Sequence, residues 1–199
     1  MNSSKNTSNI TISAGKLKGL RLISPPSHTT RPTKSIVRQS FFNTLGSEIV
    51  DCVFIEGFGG SGSMGIEALS RGASESVFFE QDSQSAQILT HNLLHAKQRD
   101  AAVRYRIYTQ DFFACAHILQ SLQTYTILYL DPPFALREGM EDIYHKCFGF
   151  VRALNNPYIW LIAFEGMSEQ NMPQTLGKYA RIKQKKFGKS TISYFNLAV

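Results

Sequence analysis

The sequence predicts an α/β fold: a mostly parallel seven-stranded sheet with an antiparallel last strand, helices on both faces, and an N-terminal β-hairpin in front of it. Three observations predict it. From residue 51 onward, short apolar runs alternate with stripes of helical period. The first of those runs is closed by a glycine-rich turn, and the alternation gives way at the end to two neighbouring strand-like runs joined around Gly188. Repeated βα units call for a parallel sheet buried on both faces, and a terminal hairpin adds an antiparallel edge.

Taken in chain order, residues 1–8 are polar and rich in Ser and Asn, and read as a disordered N-terminus. Residues 10–15 and 20–23 are two short strands around Lys16-Leu17-Lys18-Gly19, a basic hairpin that ends at Pro25-Pro26. After Arg31-Pro32-Thr33, residues Ile36, Val37, Phe41, Phe42 and Leu45 share one helical stripe closed by Gly46. Residues 9–46 thus form a hairpin-and-helix unit ahead of a domain at 47–199.

Within that domain, strands are expected at 53–55, 77–80, 105–108, 126–130 and 159–164. Helices are expected between them, through 66–70, around 88–93, from 112 to 122 and from 140 to 154. The closing pair covers 179–186 and 191–199.

Composition bounds the partners. The 199 residues carry a net charge of +6, 43% apolar and 18% charged residues, values of an ordinary globular chain with a leaning toward anionic ligands. The cysteines Cys52, Cys115 and Cys147 are odd in number and far apart, so neither a disulfide framework nor a zinc site is indicated. The five histidines form no compact ligand set, and His91 and His95, one helical turn apart, read as surface residues. A polar N-terminus without an apolar core and an apolar run of only 159–164 argue for a cytoplasmic protein without a membrane role.

The first chemical motif is Glu56-Gly57-Phe58-Gly59-Gly60-Ser61-Gly62, at the end of the first parallel strand. Glycines let a backbone turn sharply and approach a ligand closely, and the helix that follows offers unpaired N–H groups. Gly57, Gly59 and Gly62 spell GxGxxG, and Glu80 ends the second strand, where a ribose diol would be held. The loop alone does not separate a nicotinamide enzyme from other Rossmann-like adenosine binders. A phosphate-binding Walker loop is excluded, because no Gly-Lys-Ser/Thr follows.

Asp131-Pro132-Pro133-Phe134, directly after the fourth strand, discriminates between them. Two prolines remove backbone donors and stop the strand, leaving carbonyls free at its carboxyl end. An amino group on a purine or pyrimidine is a poor nucleophile, because its lone pair is delocalised into the ring. A carboxylate and a proline carbonyl that both accept from that N–H₂ localise the lone pair, and Phe134 can stack on the extruded base. Hydride transfer has no use for this set.

Asp111, after the third strand, suits either the adenine amino group or a helix cap. Asp82 has the same choice, with capping its commoner use. Lys16, Lys18, Arg21 and Arg31 at one end of the chain, with Arg181, Lys183, Lys185, Lys186 and Lys189 at the other, could frame one phosphate-binding surface.

With these residues in place, the chain resembles the bacterial 16S rRNA guanine-N2 methyltransferase family. Residues 12–19, Arg31-Pro32-Thr33, Val37-Arg38, Phe42-Asn43, Gly60-Ser61-Gly62, Glu67-Ala68-Leu69-Ser70-Arg71-Gly72, Glu80 and Asp131-Pro132-Pro133-Phe134 follow in that family's order and spacing. The resemblance implies a Rossmann-like class I methyltransferase that binds S-adenosylmethionine through Glu56 to Gly62, Glu80, Gln81, Asp111, Phe112 and Asp131. It places the target amine against Asp131, Pro132 and Pro133, and the base on Phe134. It implies RNA contacts at Lys16, Lys18, Arg21, Arg31 and Arg38, and a monomer whose partner is 16S rRNA or the assembling small ribosomal subunit.

The chain departs from the family in four places: Glu56 stands for an aspartate, Gly59 for an alanine, Ser35-Ile36 for an acidic–basic pair and Gln39 for a glutamate. Two other readings stand beside this one: an adenine-N6 DNA methyltransferase, which uses a similar tetrapeptide, and a non-catalytic RNA-binding module that keeps the cofactor pocket.

Overall fold

The structure, a computed structural model, describes residues 9–25, 32–133 and 142–198. Arg31 and Phe134 lie outside the described residues. The chain opens with β1 (Asn9–Thr11) and β2 (Arg21–Ile23), an antiparallel pair in the register Ile10 opposite Leu22. Helix α1 (Pro32–Leu45) follows and stops at Gly46, whose φ of 57° breaks the helical path.

The repeating units are β3 (Val53–Glu56), α2 (Ser63–Ser70), β4 (Glu75–Phe79), α3 (Ser83–Arg99), β5 (Tyr105–Tyr108), α4 (Ala116–Gln120), β6 (Thr126–Leu130), α5 (Ile143–Ala153) and β7 (Ile159–Met167). Three strands close the chain: β8 (Thr175–Leu176), β9 (Tyr179–Phe187) and β10 (Ser190–Leu197).

Strands β3 to β10 make one sheet in the order β5-β4-β3-β6-β7-β10-β9-β8. The first five strands in this order are mutually parallel, and β10 enters antiparallel between β7 and β9. The sheet has eight strands rather than the seven expected. The extra one is the two-residue β8, too short to leave an alternation in the sequence. The expected helix over 112–122 divides into a 3₁₀ turn, Phe112–Cys115, and the five-residue α4. Strand β7 runs three residues past its apolar core, which carries Glu165 into the sheet.

Alternation along the strands sorts two core faces. Val53, Ile55, Leu128, Leu130, Ile162 and Phe164 pack beneath α4 and α5. On the other face, Phe54, Ile127, Tyr129, Ala163, Ile192 and Tyr194 meet Val37, Phe41, Phe42 and Leu45 of α1 and Met64 and Ala68 of α2. Ile36, expected on the same stripe of α1, is 56% exposed. One residue before Val37 it is turned about 100° around the helix, out of the contact.

The N-terminal hairpin is docked rather than appended. Ile12, Leu17, Leu20 and Leu22 are buried against Ile66, Leu69, Phe78, Leu89 and Leu93 of the α2–α3 face. Among the described residues no helix is long and apolar enough to cross a membrane.

Candidate active site

Strand order reverses between β3 and β6, so their carboxyl ends open a crevice of the kind in which sheets of this type bind ligands. The glycine loop lines it. Gly57 N–H donates to Tyr129 O at 2.9 Å and Gly59 N–H to Phe79 O at 2.7 Å, so the loop lies flat over the neighbouring strands. Gly62 begins α2 at φ 75°, and a Cβ there would stand 2.4 Å from Leu89 Cδ1. At Gly57 a Cβ would stand 2.6 Å from Leu130 Cδ2. A side chain at either position would push a leucine aside, and at Gly62 the positive φ favours glycine as well.

The acids sort by exposure. Glu80 is half-buried; its carboxylate accepts from Gly60 N–H at 2.7 Å and from Asp82 N–H at 2.8 Å. These bonds fix the side chain at the lip of the glycine loop and leave each oxygen one more lone pair. Gln81 beside it is exposed. Asp111 is exposed and accepts from Phe113 N–H at 3.1 Å, and Asp82 accepts from Ser85 N–H at 2.8 Å. Both aspartates therefore act as caps, and the Asp111 side chain remains open to solvent.

Glu56 turns inward instead. It is 5% exposed and accepts from Gly65 N–H at 2.8 Å at the start of α2, while burial pushes its carboxyl up to about 8. Phe58 is half-buried against Phe112 and Phe113, whereas Phe112 itself is buried in the core against Phe150. The Phe112 ring is thus spent on packing.

Asp131 leaves β6 half-exposed, followed by buried Pro132 and half-buried Pro133. Its Oδ2 receives the ammonium of Lys34 from the first turn of α1 at 3.3 Å, an ion pair across 97 residues of chain. Next to it, Glu165 of β7 accepts from the Tyr129 hydroxyl. Lys34, Tyr129 and Glu165 are absent from the sequence-derived set. No spacing rule joins them, since they meet only through helix docking and strand pairing. The one local signal is that Lys34 directly follows Arg31-Pro32-Thr33.

The basic residues do not form one surface. Arg38 is corrected from an RNA contact to an internal strut: it is 4% exposed, pairs with Glu67 at 3.3 Å and donates to Thr11 O at 2.8 Å. Lys16 and Lys18 are exposed, but Lys16 N–H donates to Ser70 O at 2.8 Å, which ties the hairpin tip to the far end of α2. That end lies at the amino edge of the sheet, about 12 Å of helix away from the glycine loop. The β9–β10 turn falls at the other edge, since Ser190 pairs with Met167 at the carboxyl end of β7. Lys186 and Lys189 therefore share the edge of Asp131, and Lys16 and Lys18 do not.

A doubly wound sheet with a glycine cradle, a fixed acid after its second parallel strand and an Asp-Pro-Pro exit after its fourth is the class I, Rossmann-like methyltransferase fold. The chain belongs to the family described as Conserved hypothetical protein 95, whose model matches residues 10–196. It is 35% identical over 133 residues to ribosomal RNA small subunit methyltransferase D of Escherichia coli K12; the match covers 67% of this chain and 63% of that protein. It is 34% identical over 138 residues to the protein of the same name in Haemophilus influenzae, covering 69% and 70%. The solved structure of the Escherichia coli protein yhhF superposes with a TM-score of 0.74 at 26% identity, over 96% of this chain and 99% of that one.

Proposed function

We propose that this chain is an enzyme that transfers the methyl group of S-adenosylmethionine to N2 of a guanine in 16S ribosomal RNA, in the free RNA or the assembling small subunit. The observation that carries the reading is Asp131-Pro132-Pro133 at the carboxyl end of β6, beside the glycine loop and Glu80. The name of the 35%-identical Escherichia coli relative supports the same substrate class.

The residues suit the cofactor. The glycine loop carries side chains only at Phe58 and Ser61 between Gly57 and Gly62, which lets its backbone approach an adenosine closely. Glu80 offers spare lone pairs to ribose hydroxyls, and Asp111 faces outward where an adenine amino group can donate to it. When bound, S-adenosylmethionine supplies a methyl group made electrophilic by its sulfonium. The chain's own task is to prepare the nitrogen. Asp131 accepts an N–H of the target amine, the Pro132 carbonyl is a second acceptor, and together they turn the lone pair out of conjugation. Holding the amine in line contributes the larger share of the rate, because the leaving group is already good. Phe134 is assigned the stacking role on sequence grounds alone. Lys186 and Lys189, on the same edge, suit the phosphates around an extruded base.

The test is transfer of tritium from labelled S-adenosylmethionine to naked rRNA, isolated small subunits and duplex DNA, with mass spectrometry of the digested nucleosides. The expected product is N2-methylguanosine in 16S rRNA. Recovery of N6-methyladenine from DNA with nothing on rRNA would put the DNA enzyme in its place. RNA binding without transfer to any substrate would identify a non-catalytic module.

A further inference from the structure

Three carboxylates gather on one face of the carboxyl edge. Glu56 ends β3, Asp131 follows β6 and Glu165 lies on β7, three strands that neighbour one another in the sheet. Tyr129 pairs with Ala163 and Leu130 with Phe164, so the same register sets Asp131 beside Glu165. Neighbouring strands run about 4.8 Å apart, so the charge of Asp131 acts on the Glu165 carboxyl.

Glu165 is 4% exposed; one oxygen accepts from Tyr129, and Oε1 has no hydrogen-bond partner among the described residues. Burial first, and Asp131 second, push its carboxyl up to about 7, with Lys34 and the Tyr129 hydroxyl opposing.

The other groups around this cluster leave the neutralising role to one residue. On α1, Arg38 is committed to Glu67 and Thr11, and from β9 Lys185 donates to Thr44 at 2.8 Å. The Tyr144 hydroxyl of α5 and the Tyr194 hydroxyl of β10 are buried, and neither carries a charge that could offset a carboxylate. Among the described residues, Lys34 is the cation that faces both Asp131 and Glu165.

We propose that Lys34 is a positioning residue for the methyl transfer: by holding Oδ2 of Asp131 and offsetting the buried charge of Glu165, it keeps Oδ1 of Asp131 turned toward the target amine. This rests on the methyltransferase reading above. A proton on Glu165 that turns to Asp131 would occupy a lone pair that Asp131 otherwise offers to the amine. Without the ammonium, the Glu165 carboxyl, already pushed up by burial and by Asp131, rises further and holds its proton beside Asp131. Glu165 is then the competitor that Lys34 restrains, and the Tyr129 hydrogen bond fixes where that competitor sits.

The experiment measures kcat/KM for RNA methylation from pH 5 to 9 in Lys34→Met, Lys34→Arg, Glu165→Gln and the Lys34→Met/Glu165→Gln double variant, with S-adenosylmethionine affinity measured alongside. Lys34→Met should lower kcat/KM at pH 7 by about tenfold and move the acid limb up by roughly one pH unit, with cofactor affinity unchanged. Lys34→Arg should restore both. The double variant should return the acid limb toward wild type, because Gln still accepts from Tyr129 and cannot ionise. An unmoved limb in Lys34→Met, or a moved limb that Glu165→Gln does not relieve, overturns the proposal. If Lys34→Met does not fold, an acid limb in Lys34→Arg or Glu165→Gln shifted upward from wild type has the same force. A wild-type protein that methylates no RNA overturns the functional reading itself, which these variants do not test.

Discussion

Glu67→Gln is the substitution whose cost the structure defines most sharply. The Glu67 side chain is fully buried. Its carboxylate accepts from Ser13 N–H at 2.8 Å, from the Ser13 hydroxyl at 2.6 Å, from Ala14 N–H at 3.2 Å and from Arg71 Nε at 2.9 Å. It also pairs with Arg38 at 3.3 Å, and the Arg38 side chain is only 5% exposed. A glutamine of the same size keeps one acceptor oxygen but turns an N–H₂ toward these donors, and it strands the Arg38 guanidinium. Breaking one partner of a buried ion pair costs about 3–5 kcal/mol, and the lost hydrogen bonds are part of that figure rather than an addition to it. Against a domain stability of about 5–15 kcal/mol, this is a fifth or more of the total.

The loss should be concentrated where the hairpin docks, since Ser13 and Ala14 are held by this carboxylate. Urea unfolding should show the decrease in midpoint. Amide exchange should speed up first at Lys16, which donates to Ser70, and at Gly19, which donates to Ile12. A loss under about 1 kcal/mol, with unchanged protection of those two amides, would refute the claim that Glu67 anchors the hairpin to α1 and α2.

Three further outcomes are expected. Asp131→Ala should leave S-adenosylmethionine affinity largely intact by calorimetry, since the glycine loop and Glu80 remain, while methyl transfer falls by about two orders of magnitude; near-normal turnover contradicts its role at the amine. Neutralising Lys186 and Lys189 should weaken RNA binding and reduce its salt slope by roughly 1.4–1.8, while neutralising Lys16 and Lys18 should change it less, and the reverse ranking in filter-binding titrations would return the RNA to the hairpin edge. Burial raises the Glu56 carboxyl from 4.5 to about 8, so the unfolded chain ionises first and stability should fall as pH rises through that window. Thermal melts of Glu56→Gln from pH 5 to 9 should be flatter than wild type, and parallel curves would count against it.

Part of the site could be read without coordinates because its chemistry is local. The glycine loop, Glu80 and Asp131-Pro132-Pro133 each follow an apolar strand, and a strand followed by a turn puts its next residues at one edge of the sheet. Val53 to Glu56 and Thr126 to Leu130 are strands in the structure as their runs foretold. Charge was not local in this sense. Lys16, Lys18 and Arg38 each lie within or beside the family's signature residues, yet two sit at the opposite edge and one is buried. Nothing in the pattern of residues 12–19 reveals that their backbone will close on Ser70.

The sequence by itself determined the fold class and put Glu80, Asp111 and Asp131 at the carboxyl edge of the sheet, because hydrophobic period and turn chemistry act over a few residues. Only the tertiary structure decided that Glu67 would bind the hairpin, that Glu56 would face α2, and that Lys34 would reach Asp131 beside Glu165. Those contacts join residues 9 to 97 positions apart through the docking of whole elements, and the low dielectric around buried Glu67 and Glu56 strengthens theirs.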